Sequence, residues 1–118
     1  GEEGITLFAD LEAGATGNMS SAMIPDLIKP VVLDYLAGEF DKSEDKYNNI
    51  LPVINYENRQ CGFRATKVIM KEGGVINSDF CRHPIPPLEE QTKAGLIKLI
   101  KKYDPIALSW GKWNLKYL

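Results

Sequence analysis

Histidine and cysteine are scarce in this sequence of 118 residues, and their spacing predicts no metal site. There is one histidine, His83, and the two cysteines, Cys61 and Cys81, are too few and too far apart for a zinc-binding pattern. Two reduced thiols are favoured over a disulfide, because nothing in the sequence indicates an oxidising compartment. We therefore expect neither a bound metal nor a cofactor.

An excess of charge of one sign and long apolar runs are also lacking. The 14 basic and 16 acidic residues leave a formal net charge of −2, without the clustered Lys and Arg that binding to nucleic acid or a membrane surface requires. Pro, Lys or Asp interrupts the apolar runs well before the roughly 20 residues of a membrane span. No charged segment followed by an apolar one opens the chain, so nothing suggests secretion. We expect a cytoplasmic protein that binds neither nucleic acid nor a membrane.

The length is that of about one domain, and apolar side chains recur at intervals of three and four residues in several segments. This spacing predicts amphipathic helices with one buried face each. In the third helix, for example, the predicted buried face carries Tyr47, Ile50 and Ile54. Five helices are predicted. The first covers residues 5–13, the second follows Ser20 and Ser21 and ends at Gly38, and the third starts at Asp41 or Ser43 and includes Ile54. The fourth covers residues 63–72, and the fifth runs from Leu88 to Tyr103.

One stretch, from Gly14 to Met23, is rich in small residues and nearly uncharged. A short run of this kind between two helices is typical of a buried strand in a parallel sheet, and we predict a strand from about Ala15 to Ser20. The alternative is a connection between helices made of small residues. Ser20 and Ser21 are placed to cap the helix that follows. A single strand has no partner in this chain for its backbone hydrogen bonds.

The most polar part of the sequence runs from Ile54 to Gly62. One interpretation is the solvated end of the third helix, which then turns at Gly62. The other is a surface that pairs with another element through Glu57 and Arg59. The polar composition favours the solvated helix end.

No catalytic centre can be assembled from these residues alone. The sequence lacks a nucleophile elbow, a phosphate-binding loop and a Ser-His-Asp arrangement, and His83 next to Pro84 fits a surface residue better than a general base. A buried lysine can form an imine with a carbonyl substrate. Lys67 has the most apolar neighbours of the lysines, but helical spacing explains those neighbours better.

Several stretches are similar to parts of one enzyme family. Ala13–Ser21 resembles an eighth barrel strand with the turn before it, Ala37–Asp41 and Ile50–Val53 resemble the next helix pair, and Gly73–Asp79 and Arg82–Leu88 resemble the connector before a last helix. The family is that of dihydrodipicolinate synthase and N-acetylneuraminate lyase. The resemblance implies an α/β fold, in which this chain is the C-terminal fragment of a TIM (β/α)₈ barrel with about one strand, followed by a helical bundle and mostly α. The segments Ile54–Gly62 and Asp104–Lys112 resemble one subgroup, the 2-keto-3-deoxy-L-arabonate dehydratases.

The resemblance implies a mechanism in which a lysine on the sixth strand forms an imine with a 2-keto acid. The resemblance also implies that the chain begins after the seventh strand. The lysine, a proton-relaying tyrosine and the carboxylate-binding Thr/Ser pair of the family then lie outside it. Met19 matches a position whose backbone carbonyl faces the keto acid, and Ser20 and Ser21 could bind substrate hydroxyls. Glu2 and Glu3 match the loop after strand seven, where they could contact substrate or assist proton transfer. The alternatives are helix capping for the serines and a solvated loop for the glutamates.

Two functional hypotheses follow from the resemblance. In the first, residues 1–36 are the last βα units of the barrel and residues 37–118 a C-terminal helical region of a homo-oligomeric Schiff-base lyase. Its substrate is a small 2-keto-3-deoxy sugar acid, and this chain is inactive alone because it lacks the imine-forming lysine. In the second, the chain is a stand-alone, non-catalytic helical module for oligomerisation. A third possibility is that the chain is simply part of a longer polypeptide.

Overall fold

The computed structural model describes residues 1–112, which form five α-helices joined by turns and irregular connectors. The helices are α1 (Leu7–Glu12), α2 (Pro25–Leu36), α3 (Phe40–Tyr56), α4 (Arg64–Glu72) and α5 (Glu90–Lys101). Two 3₁₀ turns, Glu2–Gly4 and Ile106–Leu108, and a π-helical turn, Glu57–Cys61, also lie in this range, and residues 110–112 are helical. No helix within it combines the length and the apolar character that crossing a membrane would require. Residues 113–118, the end of the predicted helical region, lie outside the described residues.

All five predicted helices are present, with ends that differ by a few residues from the sequence-based bounds. The α2 helix begins at Pro25, where the missing N–H is not needed because the first turn of a helix has no intrahelical acceptor for it. Most of the recurring apolar side chains are buried, as the spacing predicted, and Leu36 at the end of α2 is an exception. Those with no more than 5% of their surface exposed include Leu7, Leu11, Ile28, Val31, Ile50, Ile54, Val68, Ile69, Leu96 and Ile100.

The α3 helix lies at the centre of the fold and packs against α1, α2 and α5. At its interface with α2 the buried Ser43 hydroxyl donates a hydrogen bond of 2.7 Å to the Val31 carbonyl oxygen, so this polar group is satisfied inside the core. Near the middle of α3 the Tyr103 hydroxyl donates to the Asn49 carbonyl at 2.6 Å. These bonds hold α3 in place between its neighbours.

The contact between α3 and α5 depends on a glycine. The Tyr56 hydroxyl donates a hydrogen bond of 2.9 Å to the Thr92 carbonyl, and to do so it lies directly over Gly95. A Cβ atom on residue 95 would come within 2.5 Å of the Tyr56 hydroxyl oxygen. Gly95 therefore provides the space in which the tyrosine reaches the α5 backbone.

The segment after α5 folds back onto the end of α4. The backbone N–H of Gly111 donates to the Gly73 carbonyl at 3.0 Å, and the Ala107 carbonyl lies so close that a Cβ on Gly73 would be 1.9 Å from it. From the other side, the Asp26 carboxylate accepts the Ile106 N–H at 2.9 Å. The 3₁₀ turn Ile106–Leu108 is thus fixed to both α2 and α4.

The predicted strand is wrong for residues 1–112, since none of them forms a strand. Residues 15–21 are irregular, because a strand exists only when neighbouring backbone accepts its hydrogen bonds, and the described range supplies no neighbouring strand. The predicted serine caps are also wrong. Ile24 occupies the N-cap position of α2, which has no side-chain cap, and Ser21 accepts instead the Met23 N–H at 3.3 Å.

Candidate functional site

The strongest candidate for a functional group in the described range is the carboxyl of Glu57. It stands at the start of the π-helical turn that continues α3, and only 1% of its surface is exposed. The turn closes with a bond of 2.7 Å from the Gly62 N–H to the Glu57 carbonyl, which gives this stretch one wide turn in place of a regular helix end. Single π turns inside or at the end of α-helices occur frequently at functional sites.

The sequence-based interpretation of this segment as a solvated helix end is wrong for Glu57. Arg59 is exposed and the chain turns at Gly62, as expected, but Glu57 faces inward. A signal for this was present, because Ile50, Ile54 and Glu57 follow at helical spacing and continue the buried stripe of α3. The polar composition of residues 54–62 led to the other interpretation, although the helical spacing pointed to burial of Glu57.

Burial and three neighbouring side chains determine the pKa of the Glu57 carboxyl. Its Oε1 accepts a hydrogen bond of 3.2 Å from the Thr66 hydroxyl of α4, while Oε2 is buried without a hydrogen-bond partner among the described residues. Burial is the main cause that raises the pKa of Glu57, and the nearby Glu3 raises it further. The Ser21 and Thr66 hydroxyls oppose this and lower the pKa in part. A carboxyl with a raised pKa keeps its proton to a higher pH than an ordinary glutamate does.

The residue after Glu57 binds the beginning of the chain. The Asn58 side-chain amide donates to the Glu2 carbonyl at 2.8 Å and to the Ile54 carbonyl of α3 at 3.2 Å. The 3₁₀ turn that it holds has positive φ angles of 47° at Glu2 and 57° at Glu3, an unfavourable backbone conformation for residues with a side chain. The Asn58 bond helps to keep this turn in place.

The five predicted substrate-binding residues fall into two groups. Ser21 and Glu3 both act on the pKa of Glu57, which the Ser21 hydroxyl lowers and the Glu3 charge raises. Met19 is 83% exposed and Glu2 is exposed, while the half-buried Ser20 hydroxyl donates to the Ser21 carbonyl at 3.3 Å. Whether any of them binds substrate stays a prediction.

A second polar feature lies in a cleft of about 280 Å³ between α4, α5 and their connector. Lys93 and Asp79 form an ion pair of 2.8 Å on its wall. The hydrogen bond from Lys93 holds the pKa of the Asp79 carboxyl below its usual value, and the same bond raises the pKa of Lys93. Because both charges are satisfied by each other, the pair fastens the connector to α5 and leaves neither group poised for chemistry.

Lys67 also has a structural explanation. Its ammonium group donates to the Phe80 carbonyl at 2.9 Å, which fastens the same connector to α4. The two cysteines are free thiols and both are buried. Burial raises the pKa of the Cys61 thiol to about 11, with Glu57 adding to the rise and Arg64 opposing it.

Comparison with known proteins identifies the family of the chain. The profile of the dihydrodipicolinate synthetase family matches residues 1–103. An L-2-keto-3-deoxyarabonate dehydratase from Azospirillum brasilense is 46% identical over 111 residues, which are 94% of this chain and 36% of the relative.

A solved structure gives the same result for the fold. The crystal structure of dihydrodipicolinate synthase from Rhodopseudomonas palustris matches with a TM-score of 0.77 and 27% identity, over 86% of this chain and 34% of that one. The chain therefore spans about a third of the length of each of these two relatives. Because the family profile covers most of the sequence, the chain belongs to the dihydrodipicolinate synthetase family.

Proposed function

We propose that this chain is the C-terminal part of a Schiff-base lyase that dehydrates a 2-keto-3-deoxy sugar acid such as 2-keto-3-deoxy-L-arabonate. The observation that carries the proposal is the 46% identity to an L-2-keto-3-deoxyarabonate dehydratase along 94% of the chain. In the proposal the imine-forming lysine belongs to a preceding part of a longer polypeptide, so the 118 residues alone are inactive. The enzyme is cytoplasmic and homo-oligomeric.

In this proposal residues 1–36 complete a (β/α)₈ barrel and residues 37–118 form the helical region that follows it. Residues 15–21 become the eighth strand once the neighbouring strands are present. Their irregular backbone supports this, because it forms no helix, and their small side chains suit a barrel interior. The match to dihydrodipicolinate synthase at a TM-score of 0.77 supports the same assignment.

The substrate site of the proposed enzyme includes residues from two segments of this chain. The Met19 carbonyl faces the keto acid, Ser20 and Ser21 bind its hydroxyl groups, and Glu2 or Glu3 contacts it from the preceding loop. Active sites of TIM barrels are built from the loops at the C-terminal ends of the strands. The influence of both Glu3 and Ser21 on the pKa of the buried Glu57 carboxyl supports a common site for the two segments.

Covalent trapping tests the proposal directly. A polypeptide that carries the preceding barrel segments, and the 118-residue chain itself, are each incubated with pyruvate and borohydride, and intact masses are recorded. We expect an adduct on the longer polypeptide, of about 250 residues or more, and none on the 13.2 kDa chain. An adduct on the short chain would place the reactive lysine within it. No adduct on the longer polypeptide would refute the lyase assignment.

Product analysis then tests the reaction. Enzyme from the same preparation that has not been treated with borohydride is supplied with 2-keto-3-deoxy-L-arabonate, and we expect a product that has lost one water. Release of pyruvate would instead indicate aldol cleavage. The pyruvate adduct serves as the control for a competent lysine, because it does not depend on recognition of the sugar acid.

One observation favours the alternative function, a non-catalytic helical module. The described residues have a continuous hydrophobic core of their own, centred on α3. At the turn between α2 and α3, Leu33, Leu36 and Phe40 are each 53% exposed, a possible contact for a second copy. A folded, dimeric 13.2 kDa species, together with no adduct on the longer polypeptide, would favour this alternative over the lyase.

A further inference from the structure

A groove beside the π-helical turn has a lining that stands out from the composition of the chain. It has a volume of about 340 Å³ and lies between residues 59–64 and the connector at residues 85–86. Arg59 and Arg64 are the charged residues of its wall, and no Asp or Glu of the described range lines it. The groove is therefore basic, although the whole chain carries a formal net charge of −2.

Neither arginine is neutralised by a carboxylate of the described range. The ion pairs of residues 1–112 are formed by other cations, namely Lys42, Lys46 and Lys93. Arg59 is exposed. A guanidinium group in this situation attracts an anion, and its planar arrangement of donors matches the oxygens of a phosphate or a carboxylate.

The backbone around the groove fixes the guanidinium group of Arg64. Its Nε donates to the Cys61 carbonyl at 2.9 Å. One Nη nitrogen donates to the Pro86 carbonyl at 3.0 Å and to the Pro87 carbonyl at 3.4 Å. These bonds do not use the donors of the second Nη nitrogen. Arg64 is thus held in position before a ligand arrives, which lowers the entropy cost of binding.

An aromatic ring lies beside the two charges. Phe63 is 60% exposed and lines the groove together with Ile85 and Pro86 of the connector. The ring-to-ring contacts of the described range are formed by other residues, Phe8, Tyr35, Phe40 and Tyr47. The groove therefore combines two cationic groups with an aromatic face on which a planar group can stack.

We propose that this groove binds a small phosphate ester that carries a planar ring, with the chemistry of a nucleoside monophosphate. Arg59 and Arg64 bind the phosphate, and the ring stacks on Phe63. A phosphate monoester suits two arginines better than a carboxylate does, because it carries a charge of about −1.5 to −2 and more acceptor oxygens. The inference is independent of the lyase assignment.

The size of the groove agrees with a ligand of this class. Its volume of about 340 Å³ lies near the lower end of the roughly 300–1,000 Å³ that is usual for small-molecule sites. A single small molecule fits this range, and a folded protein domain does not enter such a groove.

The test is an NMR titration of the 118-residue chain, in which shifts of backbone amides locate the bound molecule. Adenosine 5′-monophosphate carries both the phosphate and the ring, ribose 5-phosphate lacks the ring, and adenosine lacks the phosphate. We expect adenosine monophosphate to shift amides within residues 59–64, with a Kd of about 0.1–1 mM. Ribose 5-phosphate and adenosine should each bind at least about tenfold more weakly, since each lacks one of the two contacts.

Substitutions assign the contacts to residues. Arg59→Ala should weaken binding of adenosine monophosphate about tenfold. Phe63→Leu should weaken it by a similar factor and leave binding of ribose 5-phosphate unchanged, because leucine keeps an apolar side chain but has no ring to stack on. Arg82→Ala is the matched control. It removes the same charge from an exposed arginine of the connector that does not line the groove, so Kd should stay within about twofold of the parent value.

The same titrations show the results that would overturn the proposal. These are the absence of amide shifts at about 10 mM adenosine monophosphate, and shifts that lie only outside residues 59–64 and 85–86. Equal binding of adenosine would contradict the role of the arginines, and equal binding of ribose 5-phosphate would contradict stacking on Phe63. Equal losses in Arg82→Ala and Arg59→Ala would show non-specific attraction between charges. A polyglutamate peptide that causes the same shifts at lower concentration would make the groove a surface for an acidic protein segment instead.

Discussion

The substitution Gly95→Ala tests how α3 and α5 fit together. In a solvent-exposed helix this change would stabilise the protein by about 0.5–1 kcal/mol, because alanine is a better helix former than glycine. Here the added Cβ would lie 2.5 Å from the Tyr56 hydroxyl oxygen and 3.4 Å from the ring carbon that carries it. The hydroxyl must move, and it then loses its bond to the Thr92 carbonyl.

The costs exceed the gain in helix propensity. Overpacking typically costs about 1–3 kcal/mol, and the lost hydrogen bond costs about 1 kcal/mol more. Against a gain of at most about 1 kcal/mol from helix propensity, we expect Gly95→Ala to lower the free energy of unfolding by about 1–3 kcal/mol. Tyr56→Phe alone should cost about 1 kcal/mol, since it loses only the hydrogen bond.

The double variant provides the sharp test. With phenylalanine at position 56 the nearest atom to the new Cβ lies at about the ring-carbon distance of 3.4 Å, which is an ordinary contact. The Gly95→Ala change should therefore be neutral or stabilising in the Tyr56→Phe background. Urea denaturation of the parent, both single variants and the double variant gives the coupling energy, which we expect to be about 1–3 kcal/mol. Additive effects, or a stabilising Gly95→Ala in the parent, would refute this account of the interface.

Three further predictions concern single residues. Gly73→Ala should destabilise the chain by about 2–3 kcal/mol, because its Cβ would lie 1.9 Å from the Ala107 carbonyl; urea denaturation measures this. Cys61 in the folded chain should react with iodoacetamide about a hundredfold more slowly than in urea, since its pKa rises from 9.0 to about 11; peptide mass mapping follows the alkylation. Glu57→Gln should be increasingly more stable than the parent as pH rises above about 4.5. The raised pKa of Glu57 lets the folded state keep a proton that the unfolded state, with an ordinary pKa of 4.5, has lost. That gain grows until pH passes the pKa of folded Glu57, and denaturation at several pH values measures it.

Each of these predictions has a control or a contrary outcome. Gly17→Ala adds a Cβ that meets nothing within 4 Å, so it should change stability little, and a loss equal to that of Gly73→Ala would contradict the docking explanation. Equal alkylation rates with and without urea would show that Cys61 is accessible. A stability difference between Glu57→Gln and the parent that does not vary with pH would mean that the Glu57 pKa is the same in both states.

The helices could be predicted from the sequence because their information is local. The spacing of Ile50, Ile54, Leu96 and Ile100 assigns both a helix and its buried face, and each of these side chains is buried. The strand prediction was wrong for the described residues, because a strand forms only where neighbouring backbone accepts its hydrogen bonds, and the composition of residues 15–21 carries no information on such a neighbour. Local composition shows that such a segment is compatible with a strand, and the presence of neighbouring strands determines whether a strand forms.

The candidate site was harder to predict for a different reason. Its members are Glu57, the Thr66 hydroxyl that donates to it, and Ser21 and Glu3, which act on the Glu57 pKa, and they belong to separate elements of the chain. The family resemblance brought Glu3 and Ser21 into consideration, but it gave no reason to pair them with Glu57. Charged residues are seldom fully buried, so a glutamate in a polar segment is normally assigned to solvent, and only its helical register suggests otherwise.

The bond between the Asp26 carboxylate and the Ile106 amide joins residues 80 positions apart, and this separation has a kinetic consequence. Closing so large a loop costs conformational entropy before the contact stabilises anything, so such contacts form late in folding. Weakening this bond, for instance by Asp26→Ala, should accelerate unfolding and leave the folding rate nearly unchanged. The turn Ile106–Leu108 is then the last part of the described chain to close over the helices and the first to open.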